Sequence, residues 1–521
     1  MAGWGQAIRW QTLSVGVQIV LQLIFSAALA RLLTPSDFGV MAIALVVVGV
    51  VEIFAQIGIG PALVQRKDLS DTDIRTAFYT SAVLGILCFA ALFAAAPAIG
   101  SLYAEKTGST TDVLVDVLRV VALSFVISGF TLVPRSLLIR RMAFDRLFRS
   151  SLAAMLLGNL VIGLGLAWAG SGVWAYVLAL LSQNALLGVF NWFQAPHSIR
   201  GLPSAASLRS MLGYGARSTL FNLGNYAATK VDTLVVSLSS SLSSSLSLSL
   251  SLSSSASLSA GAGGWAATGI YDRAAYLYSL PITVLGKLSD NVLFSGMSAL
   301  QDRREELART VRNGIQMLAL VVVPATVFLT AFAGDLTVVF LGPAFAASGP
   351  IAAILFSGLA FRALAKLGDA TVRATDLLVP AVVLKGVFVA AIAGGAWGAV
   401  SSGAGLAGVA WAVTLATVAQ CVGMAVLVRR AVGSAAFAGG RPLVPGLVLG
   451  AVAGGVALAL TGVLDGSPFA RCAVGAALTA AAVVGTAVLR PTLLDGADPE
   501  LRRTLAARLP LPAALRARLR R

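Results

Sequence analysis

The sequence predicts an all-α polytopic membrane protein with about fourteen transmembrane helices. Apolar stretches of about 17–25 residues recur some fourteen times in 521 residues, and a bilayer core needs about 20 apolar residues per helix. Hydrophobic residues make up 58% of the chain and charged residues only 12%. The apolar stretches are too long and too unalternating for the strands of a membrane barrel. We therefore expect a transport function rather than an enzymatic one.

The predicted spans follow one another through short connections, without a soluble domain. They begin at Gln11, Val40, Ala77, Leu114, Ser151, Val173, Leu212, Ile270, Gly314, Pro350, Leu378, Leu406, Leu443 and Cys472. The predicted domains are a six-helix lobe at 1–200, a second six-helix lobe at 201–430, two additional helices at 431–490 and a basic cytoplasmic tail at 491–521. The two lobes are expected to share one topology, as in the parallel repeats of many carriers.

Positive charge separates the two sides of the predicted membrane domain. Basic residues cluster after the even-numbered spans and are nearly absent after the odd-numbered ones. The predicted loop after span four is the richest, with Arg135, Arg140, Arg141, Arg146 and Arg149. The positive-inside rule then places both termini and all even loops in the cytoplasm. The formal net charge of +16 is mostly loop and tail charge, so it does not require nucleic acid as a partner.

Two glycine- or serine-rich segments interrupt this pattern. Residues 237–260 consist almost entirely of Ser and Leu, and the pattern has no counterpart in the first lobe. We interpret it as a low-complexity expansion at the outer surface without a function, with a local strand or a locally corrupted reading frame as alternatives. The stretch from Gly446 to Gly455 is expected to allow close helix packing.

Polar and charged side chains within the apolar spans are the candidate site residues, because such groups are costly in a membrane and rarely face lipid. The candidates that line the predicted cavity are Arg217, Asn222, Asn225, Lys230, Asp232, Arg273, Gln18, Gln22, Glu52 and Gln56. Further intramembrane polar residues are Asn159, Gln183, Asn184, Asn191, Lys287, Asp290, Asn291, Arg362 and Lys385. Arginine is suited to a phosphate group, since its planar fork donates two hydrogen bonds at once.

Structural roles compete with binding for each of these residues. Lys230 and Asp232 could lie near the outer surface or pair with each other. Arg217 and Arg362 could snorkel towards lipid headgroups from the ends of their spans. An Asn or Gln within a span often only bonds one helix to another.

Signals for enzymatic chemistry are weak. The chain has a single histidine, His197, in a predicted basic loop, and no phosphate-binding loop of the Walker type. The cysteines Cys88, Cys421 and Cys472 all fall inside predicted spans and are expected to be small apolar side chains. We therefore predict a protein that is not an enzyme and has no cofactor and no metal site.

Several sequence blocks resemble the polysaccharide flippases of the Wzx type, in the multidrug/oligosaccharidyl-lipid/polysaccharide exporter superfamily. The first-lobe blocks are LLTPSDFGVMA at 32–42, QIGIGPALVQ at 56–65 and VPRSLL at 133–138. In the second lobe, Asp232, YDRA at 271–274 and Leu280-Pro281 match the same pattern. The resemblance covers roughly residues 10–430. The Ser/Leu segment departs from it, since the family has a short glycine-containing link there.

This resemblance implies a carrier with two helical lobes around a central cavity. Its expected cargo is an oligosaccharide linked to a polyprenyl pyrophosphate, carried across the cytoplasmic membrane for cell-surface polysaccharide biosynthesis. Membrane lipids, a polysaccharide polymerase and glycosyltransferases are the expected partners. Two alternatives remain at this stage: a cation-coupled multidrug exporter of the same superfamily, or a membrane polysaccharide polymerase or ligase.

Overall fold

The computed structural model describes most of the chain. The described residues are 2–56, 58–65, 69–107, 111–197, 201, 203–238, 263–288, 303–375, 377–434, 437, 443–461 and 467–489. Their regular secondary structure consists of helices. The predicted all-α class is therefore confirmed.

The chain forms two compact units. Unit 1 contains Met1–Asp272 and Phe340–Ala344, and unit 2 contains Arg273–Val339 and Phe345–Arg521. The boundary thus falls inside one helix, and the helix of predicted span seven belongs to unit 1. The two six-helix lobes that divide at residue 200 remain a prediction, as does the separate status of the last two helices.

Unit 1 is built from the helices that precede this boundary. They are α1 (Ala2–Leu32), α2 (Pro35–Gln56), α3 (Ile59–Gln65), α4 (Asp71–Thr107), α5 (Thr111–Val121), α6 (Leu123–Arg140), α7 (Phe144–Met155), a π-helix (Leu156–Gly163), α8 (Leu164–Trp168), α9 (Val173–Gln194), α10 (Ala205–Leu238) and the start of α11 (Gly263–Leu288). Their buried apolar side chains form a core in which Met41, Leu114, Val121 and Phe125 are almost fully enclosed.

Local sequence explains why α2 begins where it does. Asp37 Oδ2 accepts hydrogen bonds from the Thr34 backbone N–H at 2.9 Å and from its hydroxyl at 2.7 Å. The Thr34 hydroxyl oxygen in turn accepts from the Asp37 N–H at 3.3 Å. This reciprocal box satisfies donors that a helix start leaves open, and Pro35 occupies the first turn, where its missing N–H is not needed. The TPSD part of the resemblance block at 32–42 is thus a helix start.

Glycines allow the helices of unit 1 to cross closely. A Cβ atom on Gly39 would collide with the carbonyl oxygen of Trp265, and one on Gly269 with that of Pro35. On the other side, a Cβ on Gly129 would lie 2.6 Å from the Ser81 carbonyl oxygen. Small residues at such crossings let membrane helices approach without a gap. They fix α11 against α2 and α6 against α4.

Unit 2 contains the rest of α11 and the helices that follow. They are α12 (Arg304–Ala331), α13 (Ala333–Leu341), a 3₁₀ turn (Pro343–Phe345), which lies largely in unit 1, then α14 (Ser348–Ser357), α15 (Leu359–Ala374), α16 (Leu378–Ser401), α17 (Gly405–Val432), α18 (Val444–Thr461) and α19 (Pro468–Leu489). The helices α14 and α15 are bent by 46° at a break. The Thr414 hydroxyl donates to the Ile354 carbonyl oxygen at 3.0 Å next to this break, which helps to satisfy backbone at the bend.

The last two helices pack on α12 and α13 through small residues and one ion pair. A Cβ on Gly446 would collide with the Ala319 carbonyl oxygen, and one on Gly450 would lie 2.8 Å from a Val323 methyl carbon. The Arg471 guanidinium also forms an ion pair with Asp335. The expected close packing of the 446–455 stretch is therefore confirmed.

The predicted spans agree with the positions of the helices. Each predicted span lies in a straight or broken helical segment. Among the described residues, eight helices are long and apolar enough to cross a membrane, or nine when the bent pair counts as one span. Three shorter apolar helices add to them. A multi-pass membrane protein is thus confirmed, and the total of fourteen stays a prediction.

One sequence prediction requires correction. The predicted arginine-rich loop after span four is mostly helix: Arg135 and Arg140 lie in α6, Arg146 and Arg149 lie in α7, and only Arg141 is in the turn. The Arg140 guanidinium donates to the Leu63 carbonyl oxygen at 3.1 Å, so this charge caps the end of α3. The first two residues of the Ser/Leu segment, Ser237 and Leu238, lie in α10.

Candidate functional site

A polar cluster lies inside unit 1, where α10 and α11 pack together. The Lys230 ammonium is 3.6 Å from Asp272 Oδ1, and their side chains are 35% and 8% exposed. Lys230 precedes the end of α10 by eight residues, which corresponds to about 12 Å along the helix axis. The ion pair is therefore well inside the helical segment, with the carboxylate enclosed and the ammonium partly accessible.

Asp232 lies on the same helix and has a different partner. The Tyr271 hydroxyl donates to Asp232 Oδ2 at 2.9 Å, and the Thr233 backbone N–H lies 2.8 Å from Oδ1. Tyr271 is fully enclosed. This contact is a second polar link between α10 and α11, one residue along α11 from the ion pair.

The same face of unit 1 ties α10 to α2. The Tyr226 hydroxyl lies 3.0 Å from the Leu45 carbonyl oxygen and 3.1 Å from that of Val46. A Cβ on Gly49 would collide with the Tyr226 ring, so glycine is needed where the tyrosine crosses α2. Polar contacts thus connect α2, α10 and α11.

The proposed pairing of Lys230 with Asp232 is wrong. Instead, the Lys230 ammonium pairs with Asp272 and the Asp232 carboxylate accepts from Tyr271, both on α11. The sequence analysis included Asp272 only as part of a family motif and missed its role as the counter-ion of Lys230. A signal was present, because an Asp in an apolar span needs a cation nearby.

Among the candidate cations whose side chains the structure describes, Arg273 is the best enclosed. It belongs to unit 2, is 5% exposed, and its guanidinium carbon lies 4.9 Å from the centroid of the Tyr276 ring. Stacking of a guanidinium on an aromatic face is favourable when both groups are removed from water. Arg273 is therefore positioned by an aromatic neighbour one turn along its own helix.

The structure describes the side chains of some of the other candidates and only the helical backbone of the rest. Gln18 on α1 is half-buried, and Gln22, one turn further, is exposed. The backbones of Gln56 on α2 and of Arg217, Asn222 and Asn225 on α10 are helical, but their side chains lie outside the described part of the structure. Glu52 is half-buried and lines a cavity within unit 1.

That cavity lies between α2, α4, α6 and α9 and has a volume of about 130 Å³. The residues that line it are Glu52, Ala55, Gly85, Ser128, Gly129, Thr131, Leu132, Arg135, Asn184, Leu187 and Asn191. The spacing of 184, 187 and 191 places these α9 residues on one helix face. The six polar residues in this cavity thus come from three different helices, α2, α6 and α9.

Unit 2 contains its own intramembrane polar contacts. The Arg362 guanidinium donates to the Gln420 side-chain oxygen at 3.0 Å and stacks on Phe388 with its carbon 4.9 Å from the ring centroid. Lys385 pairs with Asp369 at 3.7 Å, and both side chains are largely enclosed. These contacts join α15 to α16 and α17. Of the remaining sequence candidates, Asp290 and Asn291 lie outside the described residues, as does the side chain of Lys287.

The described residues contain no group of three or more His, Cys, Asp or Glu side chains placed to hold a metal ion. The chemistry that the arrangement offers is hydrogen bonding and ion pairing inside apolar helices. Such groups are suited to binding polar or charged parts of a ligand within a membrane.

Two solved structures of membrane transporters share the fold of this chain. The solved structure of the lipid II flippase MurJ in an inward closed conformation aligns with a TM-score of 0.67 at 11% identity, over 94% of this chain and 100% of that one. An inward-facing multidrug resistance transporter of the MATE family, from the MOP superfamily, aligns with a TM-score of 0.63 at 17% identity, over 82% of this chain and 98% of that one. The chain therefore has the fold of these transporters.

The sequence is also similar to that of a polysaccharide biosynthesis protein. The lipopolysaccharide biosynthesis protein WzxC of Escherichia coli (strain K12) is 22% identical over 318 residues, which cover 61% of this chain. The match spans 59% of that relative's length. The resemblance to polysaccharide flippases is therefore confirmed.

The family model described as polysaccharide biosynthesis protein matches residues 28–250 and 241–350, more than half of the chain. That region includes the helix start at Thr34, the Lys230–Asp272 ion pair and the Asp232–Tyr271 hydrogen bond. With this match, the chain belongs to the polysaccharide biosynthesis protein family.

Proposed function

We propose that this protein carries a lipid-linked oligosaccharide across the cytoplasmic membrane, with the glycan attached to a polyprenyl pyrophosphate, for cell-surface polysaccharide biosynthesis. The match of the family model over residues 28–350 carries the proposal. The folds of a lipid II flippase and of a drug transporter support a carrier rather than an enzyme.

The orientation belongs to the same proposal. Both termini lie in the cytoplasm, because the basic residues are concentrated on that side of the predicted spans. Glycosyltransferases then assemble the lipid-linked oligosaccharide on the cytoplasmic face of the membrane. After translocation, a polymerase uses this oligosaccharide on the outer face. These enzymes are the proposed functional partners, together with the surrounding lipids.

Three cations are proposed to hold the pyrophosphate: Arg217, Lys230 and Arg273. A cation enclosed in apolar helices is costly unless an anion compensates it. Lys230 has Asp272 as its anion in this structure, and its 35% exposure leaves room for a second one. Arg273 is held against Tyr276, and its forked guanidinium can donate to two phosphate oxygens at once.

The polar residues without charge complete the proposed substrate path. Asn222, Asn225, Gln18, Gln22 and Gln56 offer both donors and acceptors to glycan hydroxyls. Glu52 adds an acceptor. Asp232 is assigned a supporting role, because Tyr271 and Thr233 occupy its oxygens.

A deletion strain of the native host tests the function. Loss of the gene should abolish surface polysaccharide and cause the lipid-linked oligosaccharide to accumulate on the inner leaflet. Wild-type protein should restore both, Arg273→Ala should not, and Arg273→Lys should restore only part of the output. Polymer output is divided by the amount of protein in the membrane, because an alanine variant that only folds poorly has normal output per molecule.

The matched control is Arg149→Ala, which removes an arginine with a 71% exposed side chain on α7. It should leave output per molecule unchanged. Intact surface polymer in the deletion strain, together with greater sensitivity to cationic drugs, would instead support the multidrug exporter. Normal output per molecule in the Arg217, Lys230 and Arg273 alanine variants alike would remove the cationic site while leaving the carrier function.

A further inference from the structure

The cavity between α2, α4, α6 and α9 leads from the surface of unit 1 into its interior. Arg135 is exposed, Glu52 and Asn184 are half-buried, and Asn191 is only 1% exposed. All four line the same space of about 130 Å³. A ligand that enters beside Arg135 would therefore meet polar side chains at increasing depth.

Asn191 is the residue that indicates a ligand. Among the described residues, neither its side-chain oxygen nor its side-chain nitrogen has a hydrogen-bond partner. A buried polar group without a partner is destabilising, and such groups are uncommon in folded proteins. An amide that lines a cavity with both its donor and its acceptor available is positioned to bind a group that accepts and donates.

The charges around Asn191 restrict the chemistry of that group. Glu52 supplies a carboxylate acceptor, which disfavours an anion, and Arg135 supplies only donors, which disfavours a metal cation. The Asn184 amide and the Ser128 and Thr131 hydroxyls both donate and accept. A neutral molecule with several hydroxyl groups fits all of these side chains, because each hydroxyl can donate to the carboxylate or accept from the guanidinium and amides.

We propose that this cavity is a binding site for one sugar ring of the cargo, an inference that rests on the proposed function and names a glycan contact within unit 1. The volume of about 130 Å³ is close to that of an engineered cavity of about 150 Å³ that binds benzene. A hexose is larger than benzene, so one edge of the ring would occupy the cavity and the rest would lie at its entrance beside Arg135. Ala55, Leu132 and Leu187 provide apolar surface for the carbon face of the sugar.

The walls of the site are held in place before a ligand binds. A Cβ on Gly85 would lie 2.5 Å from the Phe125 carbonyl oxygen, and one on Gly188 would collide with the Thr131 methyl group. These close approaches fix α4 and α9 against α6. A site with fixed walls loses less entropy when it binds a small ligand.

Binding of free sugars to the purified full-length protein in nanodiscs tests the proposal. The probes are glucose, galactose, mannose, rhamnose, N-acetylglucosamine and glucuronic acid, measured by saturation-transfer difference NMR. At least one of the neutral sugars should bind to wild-type protein, and binding of glucuronic acid alone, which is an anion at neutral pH, would contradict the proposal. Asn191→Leu, which has a similar size and no polar atoms, should weaken that binding by about tenfold or more, while the unfolding midpoint stays the same or rises because an unpaired buried amide is gone.

Two further variants make the outcome specific. Arg135→Gln changes an exposed residue at the cavity entrance, so it should weaken sugar binding without affecting folding. Asn159→Leu removes a buried asparagine of unit 1 that does not line the cavity, and it should bind sugar like wild type. Equal binding by wild type, Asn191→Leu and Arg135→Gln would overturn the proposal, as would the absence of binding for every sugar in the panel.

The gene deletion tests the carrier function separately from the sugar-binding experiment. If deletion of the gene leaves surface polysaccharide intact, the carrier function is wrong regardless of sugar binding. If the deletion abolishes the polymer but Asn191→Leu binds sugar normally, the carrier function stands and the cavity is not the glycan site. Competition by inorganic phosphate at lower concentration than the bound sugar would overturn the choice of a neutral ligand.

Discussion

Lys230 on α10 and Asp272 on α11 form an ion pair inside unit 1, with the ammonium 3.6 Å from the carboxylate oxygen. The two residues are unequally enclosed, since Asp272 is 8% exposed and Lys230 is 35% exposed. The carboxylate therefore depends on the lysine more than the lysine depends on the carboxylate. This asymmetry determines the effect of removing either partner.

Lys230→Met should destabilise the protein because it removes the ammonium that lies 3.6 Å from the enclosed Asp272 carboxylate. We expect a loss of about 1–3 kcal/mol, below the 3–5 kcal/mol of a fully buried pair, because Lys230 is partly accessible. The double variant Lys230→Met/Asp272→Asn should recover part of this loss. The measurement is the apparent unfolding midpoint of the purified protein by tryptophan fluorescence.

The control for this prediction is the exposed pair of Arg149 and Asp145, whose side chains are 71% and 36% exposed. Arg149→Met should cost about 0.3–0.5 kcal/mol, as for other surface pairs on one helix. Equal shifts in the Lys230 and Arg149 variants would show that the ion pair of the polar cluster has no special role in stability.

Gly446→Ala should loosen α18 from α12, because its Cβ would collide with the Ala319 carbonyl oxygen. Gly455 lies on the same helix, and a Cβ there has no heavy atom within 4 Å. Gly455→Ala should therefore be neutral or stabilising by up to about 1 kcal/mol from helix propensity. Protease sensitivity of the segment after α17 and the unfolding midpoint measure both variants. A greater effect of Gly455→Ala would contradict this packing.

Labelling of single cysteines tests the orientation. Ser136 would be a poor label site, since it is 4% exposed within α6. Met142 is 42% exposed in the turn before α7, and Ser171 lies in the turn after α8. These turns are at opposite ends of the α7–α8 segment, so Met142→Cys should be protected from an impermeant maleimide and Ser171→Cys should react. The background replaces Cys88, Cys421 and Cys472, and equal reactivity at both sites would exclude the predicted topology.

The Ser/Leu segment should be dispensable beyond Leu238. Ser237 belongs to α10, and its hydroxyl lies 3.1 Å from the Tyr103 hydroxyl, so it should be retained. Replacing residues 239–260 by a glycine-containing linker of about seven residues should preserve polymer output per molecule. Residues 239–262 lie outside the described part of the structure. A well-expressed deletion without output would show that the segment has a role.

The helical class of this protein and the positions of its spans can be predicted from the sequence for a physical reason. A membrane helix must be apolar over a fixed length and must satisfy its backbone internally, so the helical class and the position of each predicted span are visible in composition. The helix start at Thr34 is equally local, because its capping hydrogen bonds join residues three apart, whereas the close packing of Gly446 depends on Ala319 of another helix. The family resemblance rests on the same contiguous blocks.

The partners of the polar side chains were decided by tertiary structure alone. Lys230 and Asp232 are near each other in sequence, but only the packing of α11 shows that Asp272 and Tyr271 meet them. The cavity that collects Glu52, Arg135, Asn184 and Asn191 unites helices far apart in the chain. Apolar periodicity shows which segments enter the membrane, whereas the contact between two such segments depends on how their surfaces pack, which a single sequence does not record.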